Sequence, residues 1–149
     1  VPSSAKIKGR AMTGSQKGSN TGSNKGSFWR AQVIKAEEVV YEDRVGQDPV
    51  MTRFGRIVRQ PMSNGLGMGI IECEDMSAEW FLNYDEIFYV LEGNFRCVID
   101  GKVFEALVGD TIFLPKNTQL LYETSGKARL MYIVYPESNG GWRNLIGHD

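Results

Sequence analysis

The sequence predicts an all-β domain, and three observations lead there. From Phe28 onward the apolar residues fall mostly in short runs enriched in β-branched and aromatic side chains, the composition of strands. Glycine-containing turn signals punctuate those runs. No heptad pattern and no internal repeat competes with that reading. Short strands at regular spacing describe a β-sandwich or barrel.

The elements follow in order. A short helix is expected near 35–41. The first strand covers 50–59 and the second 67–73, with Asn64-Gly65 between them as a tight hairpin turn. Strands at 86–91 and 95–99 flank Gly93, which permits a reversal. Asp100-Gly101 is a second hairpin dipeptide and leads into a strand at 103–106. Gly109 precedes a strand at 111–114, and Pro115 blocks ladder pairing just past its end. Strands at 119–123 and 129–135, separated by Gly126, complete the set.

A chain of 149 residues suits one domain with a real core. The formal net charge of −1 offers no nucleic-acid surface. No apolar run reaches the roughly 20 residues that span a bilayer. Cys73 and Cys97 sit in apolar runs without CxxC spacing, as buried reduced thiols do. That pattern, and the lack of an apolar signal stretch at the N-terminus, place the expected location in the cytoplasm. Residues 1–27 stand apart as a Gly/Ser/Asn/Lys-rich tail or linker with too little to bury. Lys6, Lys8, Arg10, Lys17 and Lys25 make it basic, with no acid to balance them. It serves either as a tether or as a plain lead-in to a folded domain at 28–149.

Two motifs then narrow the fold. The run from Tyr84 to Gly93 places Glu86 and Gly93 seven residues apart, and the run from Gly109 to Pro115 follows it. These resemble the two motifs of the cupin superfamily, in the right order and at the right separation. The resemblance covers roughly residues 50–136 and implies a cupin, or jelly-roll, β-barrel. Cupins usually carry three histidines that complete a metal site with the glutamate. Those three positions hold Trp80, Leu82 and Leu120. Trp and Leu offer no lone pair to a divalent metal, and one remaining carboxylate makes no specific site. No metal centre is therefore expected. The chain's one histidine, His148, stands next to the C-terminal residue and is expected at the surface.

The replacements form a pattern of their own. Trp80-x-Leu82-x-Tyr84-Asp85-Glu86-Ile87 resembles the cupin domain of the EutQ family of ethanolamine-utilisation proteins. The similarity continues through Val90-Leu91-Glu92-Gly93, Gly109-Asp110, Phe113, Pro115-Lys116, Arg129-Leu130-Met131-Tyr132 and Pro136. One departure is Asn117, where the family usually has Gly; Asn tolerates positive φ better than most residues. The resemblance implies ethanolamine catabolism, association with a protein-shelled microcompartment and its shell or lumen proteins, and an acetate kinase activity. No phosphate-binding loop of the Gly-x-x-x-x-Gly-Lys-Ser/Thr kind is present. No tightly bound cofactor is expected, and ATP and magnesium enter only under the kinase reading.

Alternation places Glu86, Phe88 and Val90 on the inner face of their strand. Trp80 and Leu82 join that face if the strand runs back. A pocket then holds Glu86 among Trp80, Leu82, Phe88 and Leu120, with Tyr84 beside it and hydroxyls from Tyr122 and Tyr132. A carboxyl so placed loses hydration and its pKa rises. Glu86, with Tyr132, is then either a tuned general acid or base, or a vestigial ligand satisfied by a tyrosine hydroxyl or a backbone N–H. Asp85 points the other way, to a rim. Arg53 and Arg59 share one face of their strand and Arg56 takes the other; they form either a solvated edge or an anion site at the barrel mouth. The outer face of the Glu86 strand is also apolar, which calls for a second cover and predicts a homodimer. Three functions are open: a EutQ-like protein and possible acetate kinase, a non-catalytic binding or scaffold module, and a metal-independent lyase or isomerase using Glu86.

Overall fold

Strand alternation is clearest in the run that carries Glu86. A computed structural model describes residues 30–46 and 51–137, and there Asp85, Ile87 and Tyr89 face outward while Glu86, Phe88 and Val90 are buried. The described residues form ten strands. They are β1 (Tyr41–Asp43), β2 (Thr52–Val58), β3 (Gly67–Glu74), β4 (Ser77–Phe81), β5 (Asp85–Glu92), β6 (Asn94–Ile99), β7 (Lys102–Leu107), β8 (Thr111–Leu114), β9 (Gln119–Glu123) and β10 (Lys127–Tyr135).

These strands form two antiparallel sheets. One has the order β1-β2-β3-β10-β5-β8 and the other β4-β9-β6-β7. Their inner faces share one core, in which Leu82, Val90, Phe95, Cys97 and Leu130 are wholly buried. Phe88 of the first sheet meets Phe95 of the second with ring centroids 4.6 Å apart. Each such aromatic pair adds about 0.5–1.5 kcal/mol beyond its area burial. β10 is the longest strand and lies between β3 and β5, so the register of Glu86 depends on it: Val134 pairs with Glu86 and Tyr132 with Phe88.

The turn chemistry agrees with the sequence at most points. Asp100 and Gly101 have φ of 50° and 75° and close the β6–β7 hairpin. Asn117 takes φ 67°, so the asparagine in a glycine's usual place does adopt the left-handed backbone.

Three expectations change. Ser77–Phe81 is a separate strand, where the alternation through Trp80-x-Leu82 predicts only a backward extension of the Glu86 strand. β4 instead pairs with β9 in the opposite sheet. The expected helix at 35–41 is a single 3-10 turn, Ala36–Glu38, followed by the short strand β1. Three residues give too little periodicity for that strand to be read. Asn64-Gly65 does not form a two-residue hairpin, since β2 ends at Val58 and Gly67 begins β3. Pro61 in that connection has no N–H to extend a ladder. The tail at 1–27 and His148 lie outside the described residues.

Candidate small-molecule site

The two sheets leave a cavity of about 70 Å³ between them. Glu86 of β5 lines it, and so do Phe88 beside it, Tyr132 and Val134 of β10, and Tyr122 of β9. Trp80 and Ala78 of β4 close the wall from the second sheet, and Tyr84 stands at the entry to β5.

Glu86 is 5% exposed, and the Tyr122 hydroxyl donates to its Oε2 at 2.5 Å. Burial pushes the Glu86 carboxyl up to about 8, against the opposing pull of the Tyr122 hydrogen bond. No cation contributes to that balance. At pH 7 the group is therefore mostly neutral. Burial likewise raises the Tyr84, Tyr122 and Tyr132 hydroxyls, and the charge of Glu86 adds to each shift. Cys97, which pairs with Tyr122 across β6 and β9, is pushed to about 12, first by burial and then by Glu86. Trp80 Nε1 donates to the Tyr84 hydroxyl at 3.0 Å, tying β4 to the start of β5. The ring of Tyr132 passes over Gly69, where a Cβ would lie 2.6 Å from the tyrosine oxygen.

The structure gathers Trp80, Tyr84, Glu86, Phe88, Tyr122 and Tyr132 around one cavity. Three residues named with them lie elsewhere. Leu82 and Leu120 belong to the buried core but do not line the cavity. The strand that was expected to carry Leu82 to the Glu86 wall ends at Phe81. Arg53 faces outward, half exposed. It pairs with Asp43 at 3.2 Å and Glu72 at 3.9 Å, and it stacks over Tyr41 at 5.4 Å. It forms the solvated edge rather than an anion site at this cavity. Arg56 pairs with Glu42 at 2.9 Å, and Arg59 lies beyond the end of β2. Asp85 accepts the Lys116 N–H at the rim, as its outward direction requires.

Sequence reasoning missed Arg44, Thr52, Phe54, Ile71 and Met76 in the same lining. Thr52 and Phe54 alternate along a predicted strand, so a parity argument could have found them. Arg44 follows β1, which the sequence did not reveal. Its backbone N–H donates to the Thr52 carbonyl, and Thr52 Oγ1 is buried without a hydrogen-bond partner.

The metal question turns on donors. Among the described residues no group of three His, Cys, Asp or Glu side chains converges. Around Glu86 stand aromatic rings and aliphatic side chains, which do not fit the ligand set that other cupins use.

The family model for ethanolamine utilisation protein EutQ matches residues 8–143. An acetate kinase EutQ of Clostridioides difficile is 39% identical over 71 residues, 48% of this chain and 45% of that protein. The chain spans about half the length of the curated EutQ relatives it matches. The solved structure of Clostridium difficile EutQ superposes with a TM-score of 0.64 at 31% identity, covering 74% of this chain and 82% of that one. An RmlC-like cupin from Shewanella frigidimarina superposes at 0.61 and 17% identity, over 72% of this chain and 92% of that one. That second likeness concerns the fold alone, and the fold is the cupin barrel.

Proposed function

This chain belongs to the EutQ family of ethanolamine-utilisation proteins, and from that premise we propose that its barrel is a small-molecule-binding site serving ethanolamine utilisation. The observation that carries this reading is the cavity itself. It is walled by six aromatic side chains around one buried, uncharged carboxyl that only Tyr122 satisfies. Apolar pockets with a few convergent polar groups and a perturbed titration are where ligands bind. A volume of about 70 Å³ holds roughly five to seven water-sized centres. That admits a compound of a few heavy atoms and excludes a nucleotide.

A second reading follows from the relatives named acetate kinase EutQ. Here acetate occupies the barrel, and one of its oxygens attacks the γ-phosphorus of ATP as the bond to the β-phosphate oxygen breaks, leaving ADP and acetyl phosphate. The nucleotide would have to lie outside the cavity, near Arg44 at its rim, with magnesium arriving on the nucleotide. A coupled assay for ADP release with ATP and acetate tests it. Acetate-dependent turnover that disappears in Arg44→Ala would favour catalysis. Ligand binding without turnover would favour the binding module.

The outer face of β5 and β8 supports a proposed homodimer. Ile87 and Phe113 pair there beside Tyr89, all partly or largely exposed. Contact with microcompartment proteins is proposed on family grounds. No helix among the described residues is long and apolar enough to cross a membrane.

A further inference from the structure

We propose that the cavity takes a small primary ammonium ion, held by Glu86 within a cage of Trp80, Tyr84, Phe88, Tyr122 and Tyr132. This assignment rests on the reading of the barrel as a small-molecule site and names the class of its ligand.

The wall composition is the first argument. Six aromatic side chains, the five of the cage and Phe54, line a space that holds one carboxyl. Aromatic faces carry negative potential and attract cations, most strongly where water is excluded. An anionic ligand would meet the same aromatic lining and a carboxyl.

The second argument is the state of Glu86. Tyr122 occupies Oε2, and Oε1 has no protein partner among the described residues. The titratable groups around Glu86 are Tyr84, Cys97, Tyr122 and Tyr132, from the β5 entry, β6, β9 and β10; none is cationic. A buried carboxylate normally has a positive partner or gives up its charge. Arg56 and Arg59 act on the Tyr132 hydroxyl from the end of β2, and Arg56 is paired with Glu42, but neither contributes at Glu86, where an ammonium ligand would supply the partner. Its three N–H donors meet Oε1 and the phenolic oxygens, which retain lone pairs.

Arg44 is the cation on the wall among the described residues, and it is the obvious objection. Its backbone is tied to Thr52 on β2, three strands from β5 in the sheet order. It makes no contribution to the Glu86 environment. Arg44 thus stands away from the Glu86 strand within the sheet, and its charge does not act on that carboxyl. Thr52 Oγ1, buried and unpartnered on that wall, is a polar atom that a ligand hydroxyl or an accompanying water would satisfy. The cavity size limits the ligand to an amine of about two or three carbons.

The test is calorimetric titration of the full chain with 2-aminoethanol, acetate and the neutral isostere ethylene glycol between pH 6 and 9. The expected result is that 2-aminoethanol binds at least about tenfold more tightly than ethylene glycol. Its affinity should rise by about tenfold per pH unit up to the Glu86 value of about 8, with proton release on binding in that range. Glu86→Gln should weaken amine binding at least about tenfold. Trp80→Leu should weaken it too, and it decides the matter if the glutamine variant fails to fold. Tighter binding of acetate, fading above pH 8, would overturn the ammonium assignment while leaving the barrel a small-molecule site. Failure of all three compounds to bind would overturn both. Amine affinity unaffected by either substitution would place the ligand elsewhere and also overturn the assignment.

Discussion

Glu86 is the residue on which most of the chemistry turns, because it is buried and its partner is a single phenol. In the unfolded chain it ionises near its ordinary value of 4.5, and in the folded barrel near 8. Between those values the folded state holds the extra proton, so stability falls as pH rises, by up to about 1.4 kcal/mol per unit. The contribution is fully present below 4.5 and is lost as pH climbs through 8. Urea melts from pH 5 to 9 should therefore show Glu86→Gln with a flatter profile than the parent and a relative advantage that grows with pH. A parallel profile would remove Glu86 from the buried site. Tyr122→Phe is the complementary change. It deletes the one donor to Oε2, and leaving a buried acceptor unsatisfied costs about 1–3 kcal/mol. Melting of that variant at pH 6 checks the magnitude.

At the scale of strands and turns, two glycines that both punctuate motifs differ in what they bear. Gly93 joins β5 to β6 at φ 78°, and a Cβ there would run into the Lys127 carbonyl oxygen. Gly109 has φ 92° with open space around it. Gly109→Ala should cost only the backbone term, about 1–2 kcal/mol. Gly93→Ala adds a clash with β10 and should cost about 1–3 kcal/mol more. Thermal denaturation of the pair distinguishes them, and equal losses would mean that the β5–β10 register does not depend on the close approach. Legibility from sequence followed the same division. Strands with β-branched alternation and glycine or hairpin boundaries were readable, as at β5 to β7. β1 was not, since three residues carry too little pattern, and β4 was not, since Trp80-x-Leu82 continues the alternation of the Glu86 run and hides the break between them.

For the molecule as a whole, the outward apolar face of β5 and β8 and the empty ligand positions of the motif each lead to a measurement. Phe113 is 60% exposed opposite Ile87. Sedimentation at micromolar concentration should report a dimer, and Phe113→Lys should shift it to monomer without loss of secondary structure. A monomeric parent would leave that face to another partner. Elemental analysis after purification should show no stoichiometric zinc, iron, nickel or manganese, because Trp80, Leu82 and Leu120 stand where ligands would.

By itself the sequence determined the β class, the barrel motifs, the lost ligand positions and the inward direction of Glu86. Each of these is a matter of residue type and spacing along one strand, where a period of two assigns the faces. Tertiary structure alone decided which residues share the cavity. It moved Trp80 to the opposite sheet yet kept it in the lining shared with Glu86, buried Leu82 and Leu120 in the core, turned Arg53 to solvent, and brought in Thr52 and Arg44. The reason is that a cavity is enclosed by strands distant in the chain. Its walls depend on sheet order and on how two sheets face each other, and neither is written in the periodicity of any single segment.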